Sequence, residues 1–194
     1  MANNQSYISI KEFILKKLSL FLATLAISST VMAQGYGSLE YSDETNRSTK
    51  ASNIKEAIVI GTKVGSTDYS VKMENSQTAL GSGSISQGLE VRVKQSIGAF
   101  YVGGRLGERV SSSTHFSHYA IDGGVKFPLV AGFNGDVGVR YRNAFDTAND
   151  YQTTRVHTAV GYDLTKQDKL AVRWSRSYGD EEKDAWRLQY TRSF

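Results

Sequence analysis

No cysteine occurs in the 194 residues, so neither a disulfide framework nor a thiolate metal site or nucleophile is available. Proline appears once, at Pro128, and the three histidines lack the clustered spacing of a dedicated metal centre. Beyond the first 33 residues, no apolar run reaches the length of about 20 residues that a transmembrane helix needs. No Gly-rich loop stands at a strand-to-helix junction, which leaves nucleotide binding without a motif. Excess positive charge is also scarce. The net charge of +4 falls to +2 once Lys11, Lys16, Lys17 and Glu12 are set aside with the leader described below. A balance this even is no argument for a nucleic-acid partner, and nothing in the chain implies a cofactor.

What the chain has is period-2 patterning, clearest at its end. From Trp186 through Leu188 and Tyr190 to Phe194, large apolar or aromatic residues alternate with polar ones, with Arg192 the exception. Alternation puts the two sets on opposite faces of a strand. The segment resembles the C-terminal signal of bacterial outer-membrane proteins, which end in Phe after apolar residues at alternate positions. That resemblance implies a transmembrane β-barrel and recognition of this strand by the barrel-assembly machinery. Arg192 departs from the pattern, as an arginine able to snorkel at the periplasmic interface.

Residues 1–33 have basic Lys11, Lys16 and Lys17, an apolar run from Leu18 to Ala33, and Val31-Met32-Ala33 before Gln34. This is the layout of a cleaved secretory signal peptide, about 16 apolar residues broken by Ser and Thr and too short to span a bilayer. The expected organisation is a signal peptide over 1–33 and one barrel domain over 34–194.

Within that domain, alternation and turn residues predict ten strands at roughly 34–42, 54–65, 68–79, 84–95, 98–109, 117–128, 134–143, 152–164, 169–179 and 184–194. Their lengths match the tilted strand of about 9–11 residues that crosses a bilayer. The predicted fold is therefore all-β, an up-and-down antiparallel transmembrane barrel of the cell outer membrane. Short connectors at 65–68, 95–98, 128–134 and 165–168 would face the periplasm. Connectors at 43–53, 80–83, 110–116, 144–151 and 180–183 would face outward.

One parity predicts an aromatic girdle at each water–lipid boundary. Tyr41, Tyr119, Tyr141, Tyr178 and Trp186 would form the outer ring; Tyr69, Phe100, Phe127, Tyr162 and Phe194 would form the inner one. Such a face would contact outer-membrane lipid and lipopolysaccharide.

The opposite parity carries charge. Its cations are Lys55, Lys63, Lys72, Arg92, Lys94, Arg105, Arg109, Lys126, Arg140, Arg142, Arg155, Arg173 and Arg187. Its carboxylates are Glu40, Glu74, Glu90, Asp122, Asp136 and Asp163, leaving about seven cations without a partner. Each such charge would cost about 2–4 kcal/mol facing mid-bilayer hydrocarbon, so this face must look into the barrel. Recurrent inward glycines, including Gly61, Gly107, Gly124 and Gly138, are expected to leave room beside the arginines. Arg140, Arg142, Arg155, Arg173 and Arg187 fall on four consecutive strands and would line one wall. With Arg105, Arg109 and Lys126 they are the candidate pore-lining, anion-binding residues, because guanidinium holds carboxylate and phosphate by paired hydrogen bonds at any working pH.

The stretch Gly138-Val139-Arg140-Tyr141-Arg142, with Arg155 and Gly161-Tyr162 after it, is similar to the small monomeric porins for acidic sugars, the oligogalacturonate and sialic-acid type. The resemblance implies a monomeric channel for passive diffusion of small, preferentially anionic solutes. The alternative is a closed structural or adhesive barrel. A further rival is a rim-site lipid hydrolase: His115-Phe116-Ser117 resembles the His-x-Ser of lipid A deacylases, without that family's following Asn. No enzyme is expected. The acidic run Asp180-Glu181-Glu182 with Asp184 is expected to be a solvated loop tip rather than a divalent-cation site.

Overall fold

The computed structural model describes residues 34–78, 85–111, 115–146 and 151–194. The signal-peptide reading of 1–33, the connector at 80–83 and the tips of two others lie outside the described residues.

Ten strands account for nearly all the described residues: β1 Gln34–Asn46, β2 Ser52–Val64, β3 Thr67–Thr78, β4 Ile85–Ile97, β5 Phe100–Ser111, β6 His115–Pro128, β7 Phe133–Ala144, β8 Gln152–Asp163, β9 Asp168–Gly179 and β10 Lys183–Ser193. Each pairs antiparallel with its chain neighbours, and β1 pairs with β10, which closes the barrel. The seam runs from Tyr36 opposite Ser193 to Asn46 opposite Lys183, and the Phe194 amide donates to the Gly35 carbonyl at 2.9 Å. Closure removes every free sheet edge, the condition for strands to stand in lipid.

The tight turns form as their residues require. Two residues join β2 to β3 and β4 to β5, with Gly65 and Gly98 at φ 60° in the first turn position. Positive φ at that position alone is the II′ pattern, whose twist matches paired strands. Pro128 ends β6 where no further ladder amide is needed.

The chain is inside out relative to a water-soluble sheet protein. Leu39 and Leu106 are each 59% exposed and Trp186 60%, whereas the inner face carries buried Lys55, Asp122 and Arg140. Exposed apolar surface on this scale, continuous around the wall, is what hydrocarbon covers.

The strand assignments agree with the sequence reading within a few residues, except that β1 runs four residues past its expected end. The extra segment Asp43–Asn46 is polar on both faces and still pairs with Ser52–Ile54 of β2 and with β10. Polar residues continue a strand here because they stand above the apolar band, where the Ser52 hydroxyl donates to the Asp43 carboxylate at 2.5 Å.

Candidate functional site: the charged lumen

Alternation along ten paired strands delivers every predicted pore-lining residue to the interior face: Arg105 and Arg109 from β5, Lys126 from β6, Arg140 and Arg142 from β7, Arg155 from β8, Arg173 from β9 and Arg187 from β10. The register sets like charges side by side. Arg140 lies directly opposite Arg155, Arg173 opposite Arg187 and Arg92 opposite Arg105. Facing like charges destabilise a sheet, so carboxylates must intervene.

They do so in layers. Towards the longer connectors, Glu44 forms an ion pair with Lys55 at 2.8 Å and accepts from Arg155 at 3.3 Å, and Glu74 accepts from Arg109 at 2.9 Å. Lys72 bridges Glu74 and Glu40 at 2.8 Å each, and Glu40 also meets Arg187 at 3.2 Å. Arg105 donates to Glu90 at 2.6 Å and Asp122 at 2.7 Å, and Asp122 takes Arg92 at 2.8 Å. Towards the tight turns, Asp68 holds the Tyr36 hydroxyl at 2.7 Å and Lys94 at 3.4 Å, while Asp136 holds His157 at 2.8 Å and the Tyr101 hydroxyl at 3.1 Å.

This corrects the expectation of seven partnerless cations. Glu44 falls in the expected connector 43–53 and Asp68 at the border of a connector and a strand, yet both point inward; Glu44 is only 1% exposed. Among the described residues, Arg140 and Arg142 have no carboxylate oxygen within 4 Å, whereas Arg105, Arg109, Arg155, Arg173 and Arg187 each have one. Lys126 lies over the Tyr101 ring at 5.8 Å. Of the five arginines expected to line one wall, Arg155, Arg173 and Arg187 are thus ion-paired.

The inward glycines do not leave open space either. Gly61 faces Tyr36, Gly107 faces His118, Gly124 faces Tyr101 and Gly138 faces His157, each as a direct register partner. A Cβ at Gly138 would stand 2.5 Å from the Tyr101 hydroxyl, and one at Gly107 would stand 2.7 Å from the His118 ring. Large inward side chains lie over these glycines, which therefore seat rings rather than widen the bore.

The resulting lumen is uneven. A vestibule of about 720 Å³ opens at the end with the tight turns and is lined by Lys63, Lys94, Lys126, Arg92, Asp68 and Asp136 among others. Towards the other end a cavity of about 40 Å³ lies beside Glu44, Lys55, Arg109, His118 and Arg142. Lys72, Glu90, Arg140 and Arg187 border both spaces and form the layer between them.

On the outer wall, nine predicted girdle residues are exposed: Tyr41, Tyr69, Phe100, Phe127, Tyr141, Tyr162, Tyr178, Trp186 and Phe194. Tyr119 is half-buried against Phe145, their centroids 5.4 Å apart. Phe133, Phe145 and Trp174 extend the rows; alternation does not single them out, because they stand at strand ends or beside another girdle aromatic. Arg192 finds the Asp168 carboxylate at 3.5 Å, which also accepts from the Tyr190 hydroxyl at 2.6 Å.

The remaining motifs resolve by geometry. His115 and Ser117 lie at the outer rim of β6 with no hydrogen bond between them. Asp184 is held by Arg176 at 2.7 and 2.9 Å and Glu181 by Lys183 at 2.9 Å, so the acidic run is neutralised by neighbouring cations. Among the described residues, no group of three or more His, Cys, Asp or Glu could hold a metal ion. Glu181 lies outside the strands. Burial would raise its pKa, but Lys183, Lys55 and Arg155 outweigh that and hold it at about 2.

A closed antiparallel barrel, apolar outside and charged inside, defines the class: the fold is that of the small outer-membrane barrels. No protein-family model matches the sequence, and no curated protein does. Among solved structures the chain is similar to a KdgM porin, with 12% identity, a TM-score of 0.50, and 81% of this chain and 99% of that one covered. It also matches the β domain of the Bordetella autotransporter BrkA, with 12% identity, a TM-score of 0.48, and 84% and 99% covered. A NanC porin matches with 10% identity, a TM-score of 0.45, and 80% and 100% covered. At these identities the likeness is one of fold.

Proposed function

We propose that this barrel sits in the outer membrane and passes small solutes by passive diffusion, with a preference for anions. The observation that carries this reading is the 720 Å³ cationic vestibule, which continues to a layer containing Arg140 and Arg187. Fixed positive charge in a confined, low-dielectric bore raises the local concentration of anions and repels cations. The KdgM-like fold is consistent with such a role. The narrow layer restricts passage to inorganic ions and very small organic acids. Export by a cleaved signal over 1–33, delivery through the Phe194-terminated strand and a monomeric state belong to the same proposal.

A specific observation favours a second reading, a closed barrel. The Glu44–Lys55–Glu74–Lys72 network crosses the upper lumen around a cavity of about 40 Å³. Single-channel recording of the refolded protein in a planar bilayer, across an asymmetric KCl gradient, separates the two. A reversal potential of the sign set by chloride supports diffusion with anion preference. Cation preference overturns the selectivity, and no conductance favours the closed barrel.

A further inference from the structure

Two arginines on one face of β7, Arg140 and Arg142, border the narrow upper cavity and have no carboxylate oxygen within 4 Å among the described residues. Arg140 is 9% exposed, and neither its Nε nor that of Arg142 has a hydrogen-bond partner. His118 stands with them at the cavity wall, seated opposite Gly107 and stacked on Phe116 with ring centroids 5.4 Å apart. Both of its ring nitrogens are buried and make no hydrogen bond; its nearest carboxylate, Glu90, is 3.8 Å away and already holds Arg105 at 2.6 Å.

Orphaned buried donors are rare in folded proteins, and a cluster of them calls for a bound water or ion. Water can accept from a guanidinium but cannot offset two positive charges carried by residues two apart on one strand face. Breaking or leaving uncompensated a buried charge costs several kcal/mol. Of the four carboxylates lining the cavity, Glu44, Glu74 and Glu90 already serve Lys55, Lys72, Arg109 and Arg105, and Glu108 has a partner of its own. What remains unmet is one negative charge with acceptor capacity on several sides.

We propose that the upper bore holds a small inorganic anion, of halide size, between Arg140, Arg142 and His118. The 40 Å³ space admits such an ion with a water or two, since one water needs roughly 10–15 Å³ on the same measure, and excludes a sugar acid. The site needs the enclosed lining but not a conducting pore. It therefore stands apart from the diffusion reading.

Chloride-35 NMR linewidth of the refolded barrel in zwitterionic detergent tests it. Saturable excess broadening, displaced by bromide, is the expected result. R140Q/R142Q removes the broadening and R192Q, outside the bore and paired with Asp168, retains it. Broadening that is absent, that never saturates, or that survives R140Q/R142Q overturns the site. If that variant does not fold, bromide-soaked crystals of the unaltered protein decide: an anomalous peak within about 3.5 Å of the Arg140 or Arg142 guanidinium supports the site, and water density alone there overturns it. Saturable binding without conductance would leave this site intact while removing diffusion; conductance without binding would do the reverse.

Discussion

The Tyr101 hydroxyl and His157 Nε2 lie 3.2 Å apart although two strands separate them. The row that joins them reads Tyr101, Gly124, Gly138, His157 across β5 to β8, each a direct register partner of the next. The two long side chains lean towards each other over the two glycines and share the Asp136 carboxylate, at 3.1 Å from Tyr101 and 2.8 Å from His157.

That arrangement makes Gly138 intolerant of a side chain. In Gly138→Ala the new methyl would stand 2.5 Å from the Tyr101 hydroxyl, 2.6 Å from the His157 ring and 2.7 Å from the Gly123 carbonyl. Overpacking of this kind costs about 1–3 kcal/mol. The urea midpoint of the refolded barrel should fall accordingly, whereas Gly104→Ala, on the outer face with open space around its position, should leave it nearly unchanged.

Glu44 anchors the upper network. Glu44→Gln leaves Lys55 and Arg155 buried with their main counter-charge gone, and a loss of about 3–5 kcal/mol is expected. Adding Lys55→Met should restore much of it, because removing both members of a buried pair is far milder than removing one. Equilibrium unfolding of the single and double variants measures this; a double variant no more stable than the single would refute the pairing.

The loop carboxylate Glu181 sets an acid limit. Its pKa of about 2 lies below the ordinary value of 4.5, so its contribution is full above pH 4.5 and is lost as pH falls towards 2. Glu181→Gln should therefore destabilise the barrel at pH 7 and cease to matter near pH 2. A difference between the two proteins that is independent of pH would contradict the assignment.

Selectivity should respond most to the unneutralised arginines. Arg142→Gln removes a positive charge with no carboxylate oxygen within 4 Å among the described residues, while Arg109→Gln removes one already matched by Glu74. Reversal potentials should shift further towards cation permeability for the first than for the second. Equal shifts would mean that ion pairing does not decide the field in the bore.

The strands were legible because a membrane barrel imposes one rule on every residue, apolar out and polar in, with period 2. The rule weakens past the lipid, and the sequence reading failed at those places. Glu44 stands beyond the last apolar residue of β1, and Asp68 follows a turn, so alternation alone does not place their charges in the lumen. The inward glycines were visible, but their meaning depends on register, which pairs Gly61 with Tyr36 and Gly107 with His118. Registers follow from turn lengths; the two-residue Gly65-Ser66 turn fixes β2 against β3, whereas the longer connectors before β2 and β6 leave these two pairings unspecified by sequence.

The seam between β1 and β10 makes this wall a ring whose last link is also its terminal one. Until residues near Phe194 meet those near Gly35, β1 and β10 each present a bare row of amides and carbonyls to their surroundings. Integrity is thus all or nothing: losing a few residues at either side of the join opens two adhesive borders at once, and a nearly complete copy becomes a hazard rather than a weaker version of the finished one.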